Sequence, residues 1–160
     1  MSSSLIEVYD LLETMAVTYL DRSNVSTTPH VFNLDEFPGN IQTAILPCRI
    51  LFPVGWGGQG MTLSIGPGTE AESTYTITDF FLLETGARGE GLFIQAPVLM
   101  RYVKAYADAI SLKWQYASLN SASQPLTVSA NIVPAEYNIP QGSDNWYYGV
   151  KCNLTISELL

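Results

Sequence analysis

Hydrophobic side chains recur at steps of three and four residues in two segments of the chain, which predicts two amphipathic helices. The first helix is expected over residues 4–21, with an apolar face formed by Leu5, Val8, Leu12, Met15 and Tyr19. The second is expected over residues 97–117, with an apolar face formed by Val98, Tyr102, Ala105, Ala109 and Leu112. Pro97 fits the first turn of this helix, where its missing N–H group breaks no hydrogen bond.

Four other segments alternate between apolar and polar positions, or are apolar on both faces, and these predict β-strands. They cover residues 43–53, 74–85, 126–132 and 146–156. In the first strand, Cys48, Ile50 and Phe52 lie on one face and Arg49 on the other. The second strand begins with alternation and becomes apolar throughout, as expected of a strand that is covered on both sides. The fourth strand has the clearest alternation in the chain.

Three polar or glycine-rich segments connect these elements. Residues 21–40 are rich in Ser, Thr and Asn and predict a long connection with little regular structure. Residues 54–73 are rich in Gly and predict an extended arm with a short strand at Met61–Ile65. A second glycine-rich turn precedes the second helix. The order of elements predicts a single α+β domain over residues 1–160, in which two helices pack on one face of a largely antiparallel four-stranded sheet.

Composition narrows the function classes. Of 160 residues, 47% are hydrophobic and 14% are charged, which fits one domain with a sizeable core. Seven basic residues stand against fifteen acidic ones, so the net charge of −8 disfavours a surface that binds nucleic acid through phosphate neutralisation. The N-terminal residues lack the basic region of a signal peptide, and no segment has the roughly 18–20 consecutive apolar residues of a membrane span. We therefore expect a protein made in the cytosol that is not integral to a membrane.

No pattern in the sequence indicates a catalytic, cofactor-binding or metal site. Cys48 and Cys152 are about a hundred positions apart, and His30 is the only histidine, so a zinc cluster is not expected. Gly55, Gly57 and Gly60 have the G-x-G-x-x-G spacing. However, the residues after them are typical of extended chain, whereas a dinucleotide site needs a helix there. Because no nucleophile motif accompanies the histidine, we expect that the protein is not an enzyme.

Residues that lack a place in the predicted core are candidates for contacts between subunits. Trp56 is surrounded by glycines and has no periodic partner, so we expect another molecule to bury it. Alternation instead places Trp146 and Tyr148 of the last strand in the core. The predicted interface residues are Trp56, Gln59 and Met61 in the first arm and Arg88 and Glu90 in the second.

Four segments give the chain a family resemblance: LIEVYDLL, LPCRILFP, APVLMRYVKAYADAI and YYGVKCNLTISEL. In size, order of elements and a last strand rich in Tyr, Val and Leu, the chain resembles the tail terminator or tail-completion (neck) proteins of long-tailed bacteriophages. The resemblance implies a homohexameric ring that caps the tail tube, stops its polymerisation and joins it to the head-side connector or stopper protein. It also implies a location in the virion after assembly in the host cytoplasm.

The same resemblance implies that DNA passes through the ring without specific binding. An acidic balance suits such a channel wall, because like charge suppresses contacts with phosphate. Two alternatives stay open at this point. One is a head-completion or stopper protein of the neck. The other, from a different class, is a small-ligand or carbohydrate-binding module that uses exposed aromatic side chains.

Overall fold

The computed structural model describes residues 5–33, 45–52, 54, 60–68, 71–86, 92–116, 126–138 and 146–159. Within these ranges the chain forms two helices and eight strands. In chain order they are α1 (Leu5–Thr14), β1 (Tyr19–Leu20), β2 (Ser26–Thr27), β3 (His30–Phe32), β4 (Cys48–Phe52), β5 (Thr62–Ser64), β6 (Glu72–Gly86), α2 (Leu92–Tyr116), β7 (Thr127–Asn138) and β8 (Trp146–Leu159).

The main sheet has the strand order β3-β4-β6-β8-β7, and β5 pairs with β6 on the same side as β4. All pairs are antiparallel except β3 with β4, and β1 and β2 form a separate two-stranded sheet. The α+β class, the two helices and the mostly antiparallel sheet are therefore confirmed. The prediction of four strands is wrong. β5 confirms the short strand predicted at Met61–Ile65, which was placed in the arm and not in the sheet. β3 lies in the segment expected to be irregular, where three residues are too few to show alternation.

The first helix is shorter than predicted, because it ends at Thr14. The Thr14 hydroxyl donates to the carbonyl oxygens of Asp10 and Leu11, 3.1 Å from each. Beyond this point Met15, Val17 and Tyr19 are buried, whereas the residues between them are exposed. This is the alternation of an extended chain. Met15 and Tyr19 fit both this period and the helical one, which is why the sequence pattern extended the helix too far.

The second helix begins at Leu92, so Pro97 is its sixth residue and not part of its first turn as predicted. The five residues before the proline include Leu, Gln and Ala, which favour a helix without a recognisable start signal. Both helices contribute buried side chains to one core cluster on one face of the sheet. Its sheet residues include Tyr75, Ile77, Phe81, Val150, Cys152, Leu154 and Ile156.

A smaller cluster lies on the other face of the sheet, around β4. It contains Cys48, Ile50, Phe52, Leu82 and Tyr147. Close backbone packing near this cluster requires a glycine in β8. A Cβ atom at Gly149 would collide with the carbonyl oxygen of Phe81 in the neighbouring strand, so only glycine allows the two strands to approach here.

A buried ion pair joins β4, β6 and both helices. Arg49 and Asp79 are both inaccessible to solvent, and Nη2 of Arg49 is 2.5 Å from Oδ2 of Asp79. The guanidinium also donates to the carbonyl oxygens of Leu12 and Met15, at 3.2 and 2.5 Å, at the end of α1. The hydroxyl of Tyr106 in α2 donates to Asp79 at 2.9 Å. Alternation correctly placed Arg49 opposite the apolar residues of β4, but that face is the one the helices cover.

This ion pair predicts a large and specific loss of stability. In Arg49→Met, the Asp79 carboxylate is left buried without its cation, and the free energy of unfolding should fall by about 3–5 kcal/mol. Lys104→Met is the matched control, since Lys104 pairs with Asp108 at the surface and its loss should cost less than about 0.5 kcal/mol. Urea unfolding followed by circular dichroism measures both. Similar losses in the two variants would contradict the structural role of Arg49.

Candidate assembly surfaces

The structure describes one of the five predicted interface residues. Met61 directly precedes β5, and 39% of its side chain is exposed. Trp56, Gln59, Arg88 and Glu90 lie outside the described residues, so their roles stay predictions. Met61 belongs to a row of exposed apolar side chains.

This row follows β5, which lies at one lateral edge of the sheet. Met61, Leu63 and Ile65 are exposed by 39, 51 and 72%, and they alternate with Thr62 and Ser64. We call these three apolar residues the β5 row. Among the described strands β5 pairs only with β6, so its outer edge is an unpaired edge within the part of the chain that the structure describes. An exposed apolar edge strand is a typical site for association with another chain.

An apolar groove lies on the same side of the sheet, beside α1. It has a volume of about 240 Å³ and is lined by Leu5, Ile6, Tyr9 and Val54. The Tyr9 hydroxyl donates to the carbonyl oxygen of Leu51 at 3.1 Å, which anchors α1 to β4. Ile6 is 71% exposed. We call this feature the α1 groove.

The opposite side of the sheet ends at β7. This 12-residue strand is largely exposed and pairs with β8 alone among the described strands. Pro134 lies within it, and a proline is accommodated in an edge strand where no neighbour needs its N–H group. Helix α2 packs against β7 and β8 on the covered face of the sheet. Its outer surface exposes Ile94, Met100 and Leu112, each by more than half, so the prediction that Leu112 belongs to the apolar face is wrong.

The face of the sheet away from the helices carries a ladder of uncharged polar side chains between β6 and β8. Three cross-strand hydrogen bonds form it: Thr74 with Ser157 at 3.2 Å, Thr76 with Thr155 at 3.4 Å, and Thr78 with Asn153 at 2.9 Å. In β7, Thr127, Ser129 and Asn131 continue the ladder in register. This surface was not predicted, although Ser, Thr or Asn at every second position in three strands was a signal for it.

A polar cavity of about 340 Å³ lies between the β1–β2 pair, β6 and α2. Its carboxylates are already used in structural contacts. Asp21 accepts hydrogen bonds from the backbone N–H groups of Ser23 and Val25, at 2.8 and 2.9 Å. Glu84 accepts one from the side-chain amide of Gln95. These contacts stabilise the walls of the cavity and leave its carboxylates less able to act on a ligand.

The structure places His30 of β3 beside Cys48 of β4, its register partner, whereas Cys152 lies in the core cluster on the other face of the sheet. His30 is exposed in β3, with its ring edge against Phe32 at 4.5 Å. Cys48 and Cys152 are both buried. Among the described residues no three His, Cys, Asp or Glu side chains are grouped as metal ligands would be. No described helix is long and apolar enough to cross a membrane.

The aromatic side chains at the start of β8 divide between the two faces of the sheet. Tyr148 is buried in the core as predicted, whereas Trp146 is 37% exposed, which corrects the prediction that it is a core residue. Tyr147 is buried in the smaller cluster on the other face. Trp146 is paired with Asn138 at the end of the sheet, where fewer neighbours cover it.

Comparison of the chain with protein-family models, with curated proteins and with solved structures finds no match. The function is therefore inferred from the surfaces of this molecule and from the resemblance of its sequence segments.

The buried thiols predict a loss of stability at high pH. Burial raises the pKa of Cys48 from its ordinary value of 9.0 to about 12. Burial, and then the nearby Asp79 carboxylate, raises the pKa of Cys152 as well. Above pH 9 the unfolded chain loses these protons first, so the stabilisation that is fully present below pH 9 should decline as the pH rises towards 12.

Urea unfolding at pH 8 and pH 10.5 measures this decline. Cys48→Val keeps an apolar side chain of similar size and removes one of the two thiols, so its stability should fall less over the same range. Equal declines in the two proteins would show that Cys48 does not contribute.

Proposed function

We propose that this chain is a ring-forming structural subunit of a tailed-phage virion, the tail terminator. In this role it caps the tail tube, stops tube polymerisation and joins the tube to the head-side connector. The observation that carries the proposal is the presence of two different unpartnered surfaces at opposite sides of one sheet. The β5 row and the α1 groove lie on one side, and β7 and the outer surface of α2 lie on the other.

Two unlike surfaces on opposite sides favour head-to-tail association. In such a contact each copy uses one surface towards the preceding subunit and the other towards the next, and the repeat closes into a ring when the rotation allows it. A two-fold dimer, by contrast, would use the same surface on both copies. The resemblance to tail terminators supplies the expected number of six copies.

The polar ladder on the face of the sheet away from the helices supports the proposed relation to DNA. The ladder of Ser, Thr and Asn side chains offers hydroxyl and amide groups to a phosphate backbone, and the neighbouring cation on this face, Lys151, lies with its ammonium group over the Phe80 ring. Such a surface would allow DNA to pass without specific binding. The channel wall would then be polar at this face, and it would not have to be acidic as the net charge alone predicts. The head-completion or stopper role would use a similar ring, and it differs in the protein that the ring binds.

The first experiment is the native mass of the purified protein, measured by size exclusion with light scattering over a range of concentration. We expect a mass near six times 17.6 kDa, and a ring in negative-stain images. Addition of the ring to polymerising tail-tube protein from the same virion should then limit tube length. A chain that stays monomeric, both alone and with the tube, would contradict the proposal. A ring that binds only the connector would instead favour the stopper role.

A substitution in the β5 row tests whether this surface holds the ring together. Leu63→Asp places a charge on an apolar contact, so the concentration at which rings dissociate should rise roughly tenfold or more. Because Leu63 is half exposed in the single chain, the free energy of unfolding should change by less than about 0.5 kcal/mol.

Val25→Asp is the matched control for this substitution, since Val25 is a 56% exposed apolar residue between β1 and β2. Its rings should dissociate at the same concentration as those of the unmodified chain. If Leu63→Asp and Val25→Asp behave alike, the β5 row is not part of the interface.

A further inference from the structure

Charge is distributed unevenly between the two helices. The ionisable acids and bases of α1 are Glu7, Asp10 and Glu13, all of them acidic. Those of α2 are Arg101, Lys104 and Lys113 against the single acid Asp108. Thus α1 carries three negative charges, and α2 has a net charge of +2. In a chain with about twice as many acids as bases, this separation is unusual. Lys113 lies on the opposite side of α2 from Lys104, so the surface around Met100 holds Arg101, Lys104 and Asp108 and has a net charge of +1.

Each of these charged surfaces also exposes apolar side chains. On α1, Ile6 lines the α1 groove and is followed directly by Glu7, and Asp10 lies one turn further along. On α2, Met100 is 59% exposed and is followed directly by Arg101, and Lys104 lies one turn further along. The two surfaces therefore match in pattern and are opposite in charge.

Existing contacts hold the cations of α2 at its outer surface. Lys104 lies 2.7 Å from both carboxylate oxygens of Asp108, and the side chains of this pair are 76 and 65% exposed. Arg101 donates from Nη1 to the carbonyl oxygen of Asp21 at 2.8 Å. Since a guanidinium has five N–H donors, this contact leaves capacity for a carboxylate partner.

The two helices lie where α2 of one copy could contact α1 of the next copy in a ring. α1 is anchored to β4 through Tyr9 and Arg49, near one side of the sheet. α2 packs over β7 and β8, near the other side. Both lie on the same face of the sheet. The two helices therefore lie towards opposite sides of the sheet, so a head-to-tail contact joins the α2 side of one copy to the α1 side of the next.

We propose that the outer surface of α2 around Met100, Arg101 and Lys104 docks on the α1 groove of the neighbouring copy. Met100 enters the groove, and the two cations face Glu7 and Asp10 at its rim. This inference rests on the proposed ring and names the surfaces that join its subunits. Opposite charge specifies the order of the contact, because α1 against α1 would place like charges together.

A charge exchange tests the pairing in the full chain. Asp10→Lys and Lys104→Glu each create a like-charge contact, so each should raise the ring dissociation concentration roughly tenfold at low salt. The variant with both substitutions restores opposite charges with reversed sign, and its rings should dissociate within about threefold of the unmodified value. The single-variant effects should shrink at high salt, because salt screens exposed charges.

Lys113→Glu is the matched control. It makes the same change of charge on α2, nine residues from Lys104 and therefore on the opposite side of the helix, and should leave the dissociation concentration unchanged. Glu7→Lys is a second acid-side variant, for use if Asp10→Lys lowers the thermal midpoint of unfolding. Size exclusion with light scattering measures the ring, and circular dichroism measures the fold.

The outcomes separate this inference from the proposed function. Rings that respond to Lys104→Glu no more than to Lys113→Glu would overturn the helix pairing and leave the ring intact. Failure of the double substitution to recover would also overturn it. If the unmodified chain forms no ring, either alone or with the tail tube, the proposed function and the pairing both fail.

Discussion

The buried ion pair of Arg49 and Asp79 is the contact on which the rest of the fold depends. One guanidinium holds the carboxylate of β6 and two carbonyl oxygens at the end of α1, and Tyr106 brings α2 to the same carboxylate. A charge is costly to bury, and here each of its neighbours reduces that cost through a hydrogen bond. The pair thereby fixes the positions of both helices over the sheet, and with them the spacing of the two candidate assembly surfaces.

The spacing of apolar and polar residues predicted most of the helices and strands, because each element depends mainly on residues close together in the sequence. It identified four of the six strands of the main sheet as sheet strands and a fifth, β5, as a short strand of the arm, and it placed Arg49 on the correct face of β4. The partner of Arg49 could not be predicted, because Asp79 becomes a neighbour only through the register that sets Leu51 opposite Asp79. The predicted end of α1 was also wrong, again because burial in the folded protein is not visible in the local sequence. Met15 and Tyr19 satisfy helical and extended spacing equally, and tertiary burial decides between them.

The surfaces were less predictable than the core. Met61 was predicted as an interface residue of the glycine-rich arm, and the structure places it in an exposed apolar row beside Leu63 and Ile65. Whether a strand lies at the edge of a sheet depends on strand order, which pairs segments far apart in the sequence. The same holds for Trp146, whose alternation indicated burial while its place at the end of β8 leaves it partly exposed. The separation of charge between α1 and α2 was visible in the sequence. It suggests a contact between copies only once the structure places the two helices towards opposite sides of the sheet.

The pairing of β6 with β8 joins segments that lie far apart in the chain. Gly86 pairs with Trp146 and Glu72 with Leu159, with α2 and β7 between the two strands in the chain. One side of β6 therefore waits for its partner until β8 has left the ribosome. Pairings this distant in sequence are slow to form. Because β7 in turn pairs with β8, the sheet edge that β7 presents also forms only after β8, and the proposed contact through this edge would form later still.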